Sequence, residues 1–299
     1  MEGMEPQTLA LHATELAAEA GRLVMGHFGR HGRTEYKSKD KLHDPVTTAD
    51  RESEAFLRQE VRRRFPGHAV VGEEEPNTEG AAPDWVWVVD PLDGTTNFVN
   101  GLPLFAVSIG VLHQGVPVAG AIFLPLPGTA GGEVYHAYRG GGAFLGERRL
   151  QVTANAEPEA GTLASVPAYL WRHLRLRGKL RQGSGEPRTL GSIACELALV
   201  ARGVFQYAII TGPRIWDVAA GVLLVQEAGG AILTRQGRGP WGPFQRFTPA
   251  PSQGQATLKE VAEWRGGVLA ANPALAAFLG QRLAPSLGAQ LRLILTGEA

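Results

Sequence analysis

The segment Trp85-Val-Trp-Val-Val-Asp90-Pro-Leu-Asp93-Gly94-Thr95-Thr96 constrains this chain more tightly than any other. Five β-favouring residues come first and read as a buried strand. Two carboxylates three residues apart leave its end, and Gly94, Thr95 and Thr96 follow with N–H groups and hydroxyls. Carboxylates bind hard cations, and free N–H groups at a turn or helix start bind phosphate. One loop can therefore hold a metal ion and the anion it activates.

Two more acidic segments lie at the mouths of apolar elements. Glu73, Glu74 and Glu75 follow Val70-Val71-Gly72, and Asp217 falls in the first turn of a helical run opening at Trp216. A lone acid in a loop is usually just solvated. Three acidic segments gathered in one place would repel one another, so a cage built from them needs cations.

At 299 residues the chain can bury a large core, as one layered domain or two lobes. Lys plus Arg and Asp plus Glu both number 29, so no global charge favours nucleic acid or an anionic membrane. No apolar stretch is long enough to span a bilayer. The N-terminus lacks a basic-then-apolar signal pattern, so a cytoplasmic location is expected. The single cysteine, Cys195, rules out an intrachain disulfide, and its apolar setting, Ile193-Ala-Cys-Glu-Leu-Ala-Leu-Val200, predicts an inert buried thiol.

Leu16, Ala20, Leu23, Val24 and Phe28 fall at helical spacing, as do Phe56, Leu57, Val61 and Phe65. A charged, mobile-looking connector over 33–43 joins these two helices. From 85 to 152 the pattern turns to strands, at 105–112, 118–124, 133–138 and 143–152, with Gly and Pro turns between them. Helix and strand then alternate: helices 192–201 and 217–228, strands 205–210, 231–234 and 268–271, and a last helix from Pro273. The Gly-, Pro- and Gln-rich stretch 237–255 reads as a long surface loop. Alternation of this kind suits stacked layers of helices and sheets.

The ordered motifs resemble the inositol monophosphatase family of magnesium-dependent, lithium-sensitive phosphatases. The matching pieces are Asp44-Pro-Val-Thr47-Thr48-Ala-Asp50, Gly72-Glu73-Glu74, Asp90-Pro-Leu-Asp93-Gly-Thr95-Thr, Gly191-Ser-Ile-Ala194 and Trp216-Asp217-Val-Ala-Ala-Gly221. Arg139-Gly-Gly-Gly-Ala-Phe144 is similar to the family's strand pair. The resemblance implies a mixed α/β fold, a layered α-β-α-β-α sandwich of the sugar phosphatase type, with the active site between two lobes. The expected lobes are 1–152, with the helix pair, a largely antiparallel sheet and most metal ligands, and 153–299, which supplies Asp217. A homodimer is expected from the resemblance alone.

The resemblance also implies roles. Glu73, Asp90 and the Leu92 carbonyl would hold a first Mg²⁺, and Asp90, Asp93 and Asp217 a second, with Asp90 bridging. A third, weaker ion would lean on Glu73 and water. Gly94 and Thr95 N–H groups would cradle the phosphate. Asp50 and Thr95 would orient the attacking water, which makes Asp50, Glu73 and Thr95 the catalytic set. The residues alone leave Asp50 open to a second reading, as an acid favoured by the dipole at a helix N-terminus. Glu52, Glu74 and Glu75 read as solvated or structural.

The implied reaction is hydrolysis of a small polyol or sugar phosphate. A phosphate monoester repels hydroxide and leaves as a poor alkoxide. Mg²⁺ ions would neutralise the phosphoryl oxygens and activate the water. Fructose-1,6-bisphosphatase, histidinol-phosphatase and 3′-phosphoadenosine 5′-phosphate phosphatase activities are alternatives with the same metal core. A catalytically silent binding or regulatory member is the alternative from another class. Such a chain is expected to lose an acid or the threonine, and here Glu73, Asp90, Asp93, Thr95 and Asp217 are all kept.

Other enzymes fit less well. A haloacid-dehalogenase-type site needs two Asp residues two apart, and here the spacing is three. No Gly-x-x-x-x-Gly-Lys-Ser/Thr occurs, so the glycines at 140–142 are not a Walker loop. Ser108 in Ala106-Val-Ser-Ile-Gly110 has the outline of a nucleophile elbow, but it lies in an apolar strand and reads as a sheet residue. The eight histidines are scattered and make no zinc site expected.

Three positions bear on substrate. Inositol-selective members carry Glu where this chain has Ile210, seven residues before Asp217, and commonly His where it has Arg214. Arg214 suits a second phosphate or carboxylate, as on a sugar bisphosphate. Ala194 completes the expected substrate side. The basic run Arg172, Arg175, Arg177, Lys179 and Arg181 reads as a solvated amphipathic surface segment.

Overall fold

Residues 85–89 lie at the centre of a layered molecule, in a computed structural model that describes residues 5–30, 34–36, 45–75, 80–125, 131–167, 184–237, 239–249 and 254–283. They open strand β4 (Trp85–Asp93), whose side chains alternate between two apolar clusters. Trp87 and Val89 enter one, Val86 and Val88 the other. That period-two split is why the run carries no polar face.

One side is covered by a helix pair. In α1 (Pro6–His27) a proline in the first turn removes an N–H that has no helical partner, and Leu9, Ala13, Leu16, Ala20 and Val24 form the buried stripe. A small antiparallel ribbon, β1 (Thr34–Tyr36) with β2 (Pro45–Thr47), leads into α2 (Thr48–Arg64). Leu57 and Val61 of α2 join Leu16, Trp87, Ile109 and Phe123 in one cluster.

The first sheet has seven strands in sequence order: β3 (Ala69–Gly72), β4, β5 (Ala106–His113), β6 (Val116–Leu124), β7 (Glu133–Tyr138), β8 (Gly142–Leu145) and β9 (Arg148–Arg149). The β3–β4 pair is parallel and the others antiparallel. Between β4 and β5 a five-residue helix, α3 (Thr95–Val99), follows the acidic turn.

The other face of this sheet meets α4 (Ile193–Ala201) and α5 (Ile215–Glu227), which are covered in turn by a second sheet. Its strand order is β11 (Glu186–Arg188), β10 (Leu163–Ser165), β12 (Phe205–Ile210), β15 (Gly267–Ala271), β13 (Ala231–Arg235), β14 (Gly242–Pro243). A short helix α6 (Leu258–Ala262) packs at the β3 edge. The last layer is α7 (Pro273–Arg282), whose Leu275 and Leu279 pack with Tyr207, Ile209 and Leu269. Three apolar clusters thus separate helices, sheet, helices, sheet and helix, the α-β-α-β-α order expected.

The middle helices sit very close to the first sheet. Gly110 and Gly120 are cross-strand partners on β5 and β6. A Cβ on Gly110 would lie 2.7 Å from Ala219 Cβ, and one on Gly120 would lie 3.1 Å from the Ala220 Cα. A Cβ on Gly221 would meet Leu197 of α4 at 2.4 Å. Small residues on both partners set the depth at which α5 lies, and with it the place of its first turn.

The structure revises several expectations. The strand read over 143–152 breaks at Gly146 (φ +59°), because β8 turns back on itself into β9. Of the connector 33–43, residues 34–36 are described and pair as β1 with β2, so that part is ordered by the ribbon. The stretch 237–255 contains the short strand β14. The basic run 172–181 and Asp44 lie outside the described residues. No helix among the described residues is long and apolar enough to cross a membrane.

Candidate active site

The side chains of Asp50, Glu73, Asp90, Asp93, Thr95 and Asp217 lie near the end of β4. The pairing of β4 with β5 shifts register between Asp90 and Asp93, so the strand kinks through Pro91 and Leu92. Ser53 of α2 donates its hydroxyl to the Pro91 carbonyl at 3.3 Å. Gly94 then takes φ +94°, and a Cβ there would lie 3.0 Å from the Leu104 carbonyl oxygen and 3.1 Å from that of Gly191. Glycine is required by both backbone angle and space. The reversal lets α3 begin directly after the acids.

Asp90 is buried, and the hydrogen bond found for its carboxylate is from the Leu92 N–H, at 3.0 Å. Burial holds its proton well above the ordinary range, and Glu73, Asp93 and Asp217 each push further in that direction. Asp93 is raised to about 7 by burial, offset by donors on its Oδ2: Ser192 Oγ at 2.7 Å and the Ala194 N–H at 2.6 Å. Asp217 is half-buried at the third position of α5, where it accepts the Arg214 N–H at 2.7 Å. Burial again raises its pKa well above normal, with Asp93 and Glu73 adding to the rise and Arg214 opposing it. These carboxylates come from the ends of β3 and β4 and from α5, so the first sheet and the helix layer packed on it build the site jointly.

Beside them lies a smaller pair. Asp50 Oδ2 accepts both the N–H of Thr47, at 2.8 Å, and its hydroxyl, at 2.5 Å. Thr95 Oγ1 stands 3.1 Å from Asp50 Oδ1 and 2.9 Å from the Leu92 carbonyl. Burial lifts Asp50 to about 6 despite the bonds to Thr47 and Thr95. Both readings of Asp50 therefore have a structural counterpart: it closes the N-terminus of α2 with Thr47, and it touches Thr95 with its other oxygen.

A hard cation fits this donor set in chemistry. Asp90 and Asp217 are buried or half-buried where neighbouring carboxylates raise their proton affinity, the opposite of a solvated acidic face. Yet among the described residues no three His, Cys, Asp or Glu side chains are drawn together as a metal cage would hold them. Asp93 and Asp217 each turn an oxygen toward protein donors, which relieves part of the repulsion.

The expected substrate side is more dispersed. Ala194 is fully buried and gives its N–H to Asp93. Ile210 is buried at the end of β12 and belongs to the core between the sheets. Arg214 is half-buried at the start of α5, its guanidinium carbon 5.6 Å from the Trp216 ring centre. Ser108 donates its hydroxyl to the Trp216 carbonyl at 3.2 Å, which joins β5 to α5 and agrees with a sheet role. Burial pushes the Cys195 thiol up to about 12, so it is inert as expected.

Sequence reasoning missed Glu196. This buried acid on α4 accepts the Ser165 hydroxyl at 2.6 Å and the Leu190 N–H at 2.7 Å. It thereby fixes the turn that carries Ser192 and Ala194 to Asp93. A charged residue amid the apolar residues of 193–200 was the available signal.

The inositol monophosphatase family profile matches residues 5–281. The chain belongs to this family. It is a family of metal-dependent phosphoric monoester hydrolases. An inositol-1-monophosphatase of Mesorhizobium japonicum is 39% identical over 229 residues, covering 75% of this chain and 84% of that protein. Nus factor SuhB of Escherichia coli is 36% identical over 225 residues, covering 74% and 82%. The inositol monophosphatase of Anabaena superposes with a TM-score of 0.71 at 30% identity, covering 95% of this chain and 98% of that one.

Proposed function

We propose that this protein is a Mg²⁺-dependent phosphate monoester hydrolase acting on a small polyol or sugar phosphate. The observation that carries the reading is Asp90, buried against Glu73, Asp93 and Asp217 with its proton affinity raised by all three. Glu73, Asp90 and the Leu92 carbonyl would hold one ion, Asp90, Asp93 and Asp217 another, and Glu73 would support a third. Bound there, Mg²⁺ supplies charge neutralisation of the phosphoryl group, acidification of water and stabilisation of the leaving oxygen. The Leu92 carbonyl lies 2.9 Å from Thr95 Oγ1, and while Thr95 gives its single proton to Asp50 the carbonyl keeps a lone pair for a ligand.

The chain's own residues do the rest. Gly94 and Thr95 N–H groups receive the phosphoryl oxygens at the start of α3. Thr95 Oγ1 orients water by donating to Asp50, and Asp50, lifted to about 6 by burial, is suited to hold the proton released. Arg214 supports a second anionic group on the substrate. Residues 1–152 and 153–299 form the two lobes of this reading. Lithium sensitivity, a homodimer and a cytoplasmic location belong to the same proposal and rest on family membership.

The test is phosphate release from myo-inositol 1-phosphate and fructose 1,6-bisphosphate side by side, with and without Mg²⁺. Wild-type protein is expected to release phosphate only with Mg²⁺, and Asp93→Asn to lose at least about 10²-fold in rate. Arg214→Ala is expected to raise KM for the bisphosphate roughly 10-fold and leave the monoester little changed. Bound Mg²⁺ without turnover of either ester would defeat the proposal in favour of a binding role.

A further inference from the structure

The first sheet ends at β3, and an edge strand leaves one row of backbone groups without a strand partner. Glu73 emerges directly from that edge. Beside it, α2 buries two opposite charges one turn apart. Glu54 is fully buried and Arg58 is 4% exposed. Glu54 Oε1 accepts Arg58 Nε at 2.8 Å. The same carboxylate accepts two consecutive N–H groups, Glu74 on Oε2 at 2.7 Å and Glu75 on Oε1 at 2.9 Å. Arg58 in turn donates Nη1 to the Val70 carbonyl at 3.1 Å and Nη2 to the Glu75 carbonyl at 3.2 Å. Its Nε also lies 3.4 Å from the Glu75 carboxylate. A Cβ on Gly72 would lie 2.5 Å from Glu54 Oε1, so the backbone runs hard against this pair.

We propose that Glu54 and Arg58 are positioning residues that clamp the chain on both sides of Glu73 and fix its carboxylate relative to Asp90 and Asp50. The inference rests on the metal-site reading above. The bonds to Val70, Glu74 and Glu75 bracket Glu73 before and after. The clamp uses a rigid rod, because Asp50, Glu54 and Arg58 stand at successive turns of α2, spaced four apart. One helix therefore sets both the Asp50–Thr95 contact and the reach of Glu73. A buried ion pair is often no more stabilising than an apolar pair of the same volume. Holding a ligand-bearing turn in one geometry is a better reason for its presence. It also gives Glu75 a structural part, as the sequence reading allowed.

The experiment compares wild-type, Arg58→Lys and the double variant Glu54→Leu/Arg58→Met. Mg²⁺ affinity is measured by calorimetry with the metal alone, beside thermal unfolding without metal and phosphate release. Arg58→Lys keeps a charge for Glu54 and loses the fork to Val70 and Glu75. The double variant removes both charges at similar volume. The expected result is Mg²⁺ affinity lowered on the order of 10-fold or more in both, the range typical of lost outer-shell partners, with the metal-free melting temperature close to wild type in at least one. Unchanged Mg²⁺ affinity, whether or not the melting temperature falls, overturns the clamp and leaves a purely structural pair. Should the double variant not fold, Arg58→Lys alone decides by the same criterion. Wild-type protein that binds Mg²⁺ but hydrolyses no ester would defeat the proposed activity without touching the clamp. Wild-type protein that binds no Mg²⁺ would overturn both.

Discussion

The two ends of β4 are built on opposite principles. At its start, Trp87 is fully buried, packed on Phe65 with ring centres 5.0 Å apart, and its indole N–H reaches His68 Nδ1 at 3.0 Å. Trp85 lies between His68 and His113, with centres 5.5 and 4.2 Å away. Every side chain there has a packing partner and the ladder to β5 runs in register. At the other end the register slips, Gly94 takes a left-handed angle, and the buried groups are carboxylates that repel each other. The first end is arranged for stability. The second departs from each local rule that the first obeys, which is the expected mark of a functional site.

Single substitutions break this contrast most directly. Trp87→Ala is expected to cost roughly 3–5 kcal/mol of stability, the usual range for deleting a buried aromatic, with Mg²⁺ affinity of the folded protein unchanged. Asp90→Asn is expected to do the reverse: activity is lost, while the metal-free melting temperature rises because a repelling charge is removed. Denaturant unfolding and calorimetry on the two variants check this pair. A metal-free Asp90→Asn protein less stable than wild type would contradict the repulsion.

The pH dependence sharpens the same contrast. Asp50 and Asp93 bind their protons more tightly in the folded chain, near pH 6 and 7, than at the ordinary 3.8, and Asp90 and Asp217 move the same way. The folded state therefore holds more protons than the unfolded one between these values. The stability this gives is complete below about pH 4 and is lost as pH rises through about 6 and then about 7. Metal-free protein should melt at lower temperature at pH 8 than at pH 5.5, and Mg²⁺ should erase the difference. A metal-free melting temperature that climbs from pH 5.5 to 8 would sink this account.

Gly110→Ala probes the link between the ends at smaller scale. The new methyl meets Ala219 on α5 and should cost about 1–3 kcal/mol as overpacking. Because α5 carries Asp217, Mg²⁺ affinity should fall as well. Stability loss with unaltered affinity would show that α5 can shift without moving its first turn.

Strong local signals made most elements legible. β12 was read over its full extent, and β4, α4, α5 and β15 to within a few residues, since each is either continuously apolar or helically periodic. The short strands β10, β11 and β14 were not, because two or three residues carry no period, and their pairing comes from the second sheet. In the site, the acids were visible as residue types at the mouths of apolar runs. Glu54 and Arg58 were not singled out, although their spacing from Asp50 placed all three on one helix face. A charge on an apolar face has no sequence-level reason until its partner, here the backbone of residues 70–75, is known.

The sequence by itself determined the alternation of helices and strands, the acidic turn after β4 and the family to which the chain belongs. Those follow from local periodicity and from motifs of adjacent residues. Tertiary structure alone decided that the Ala194 N–H faces Asp93, that Ile210 lies in the core, and that Arg58 holds the β3 edge. Each of these depends on a contact between segments a dozen or more residues apart. The depth of α5, set by glycines on two strands and small residues on the helix, is the physical reason Asp217 reaches the acids of β4.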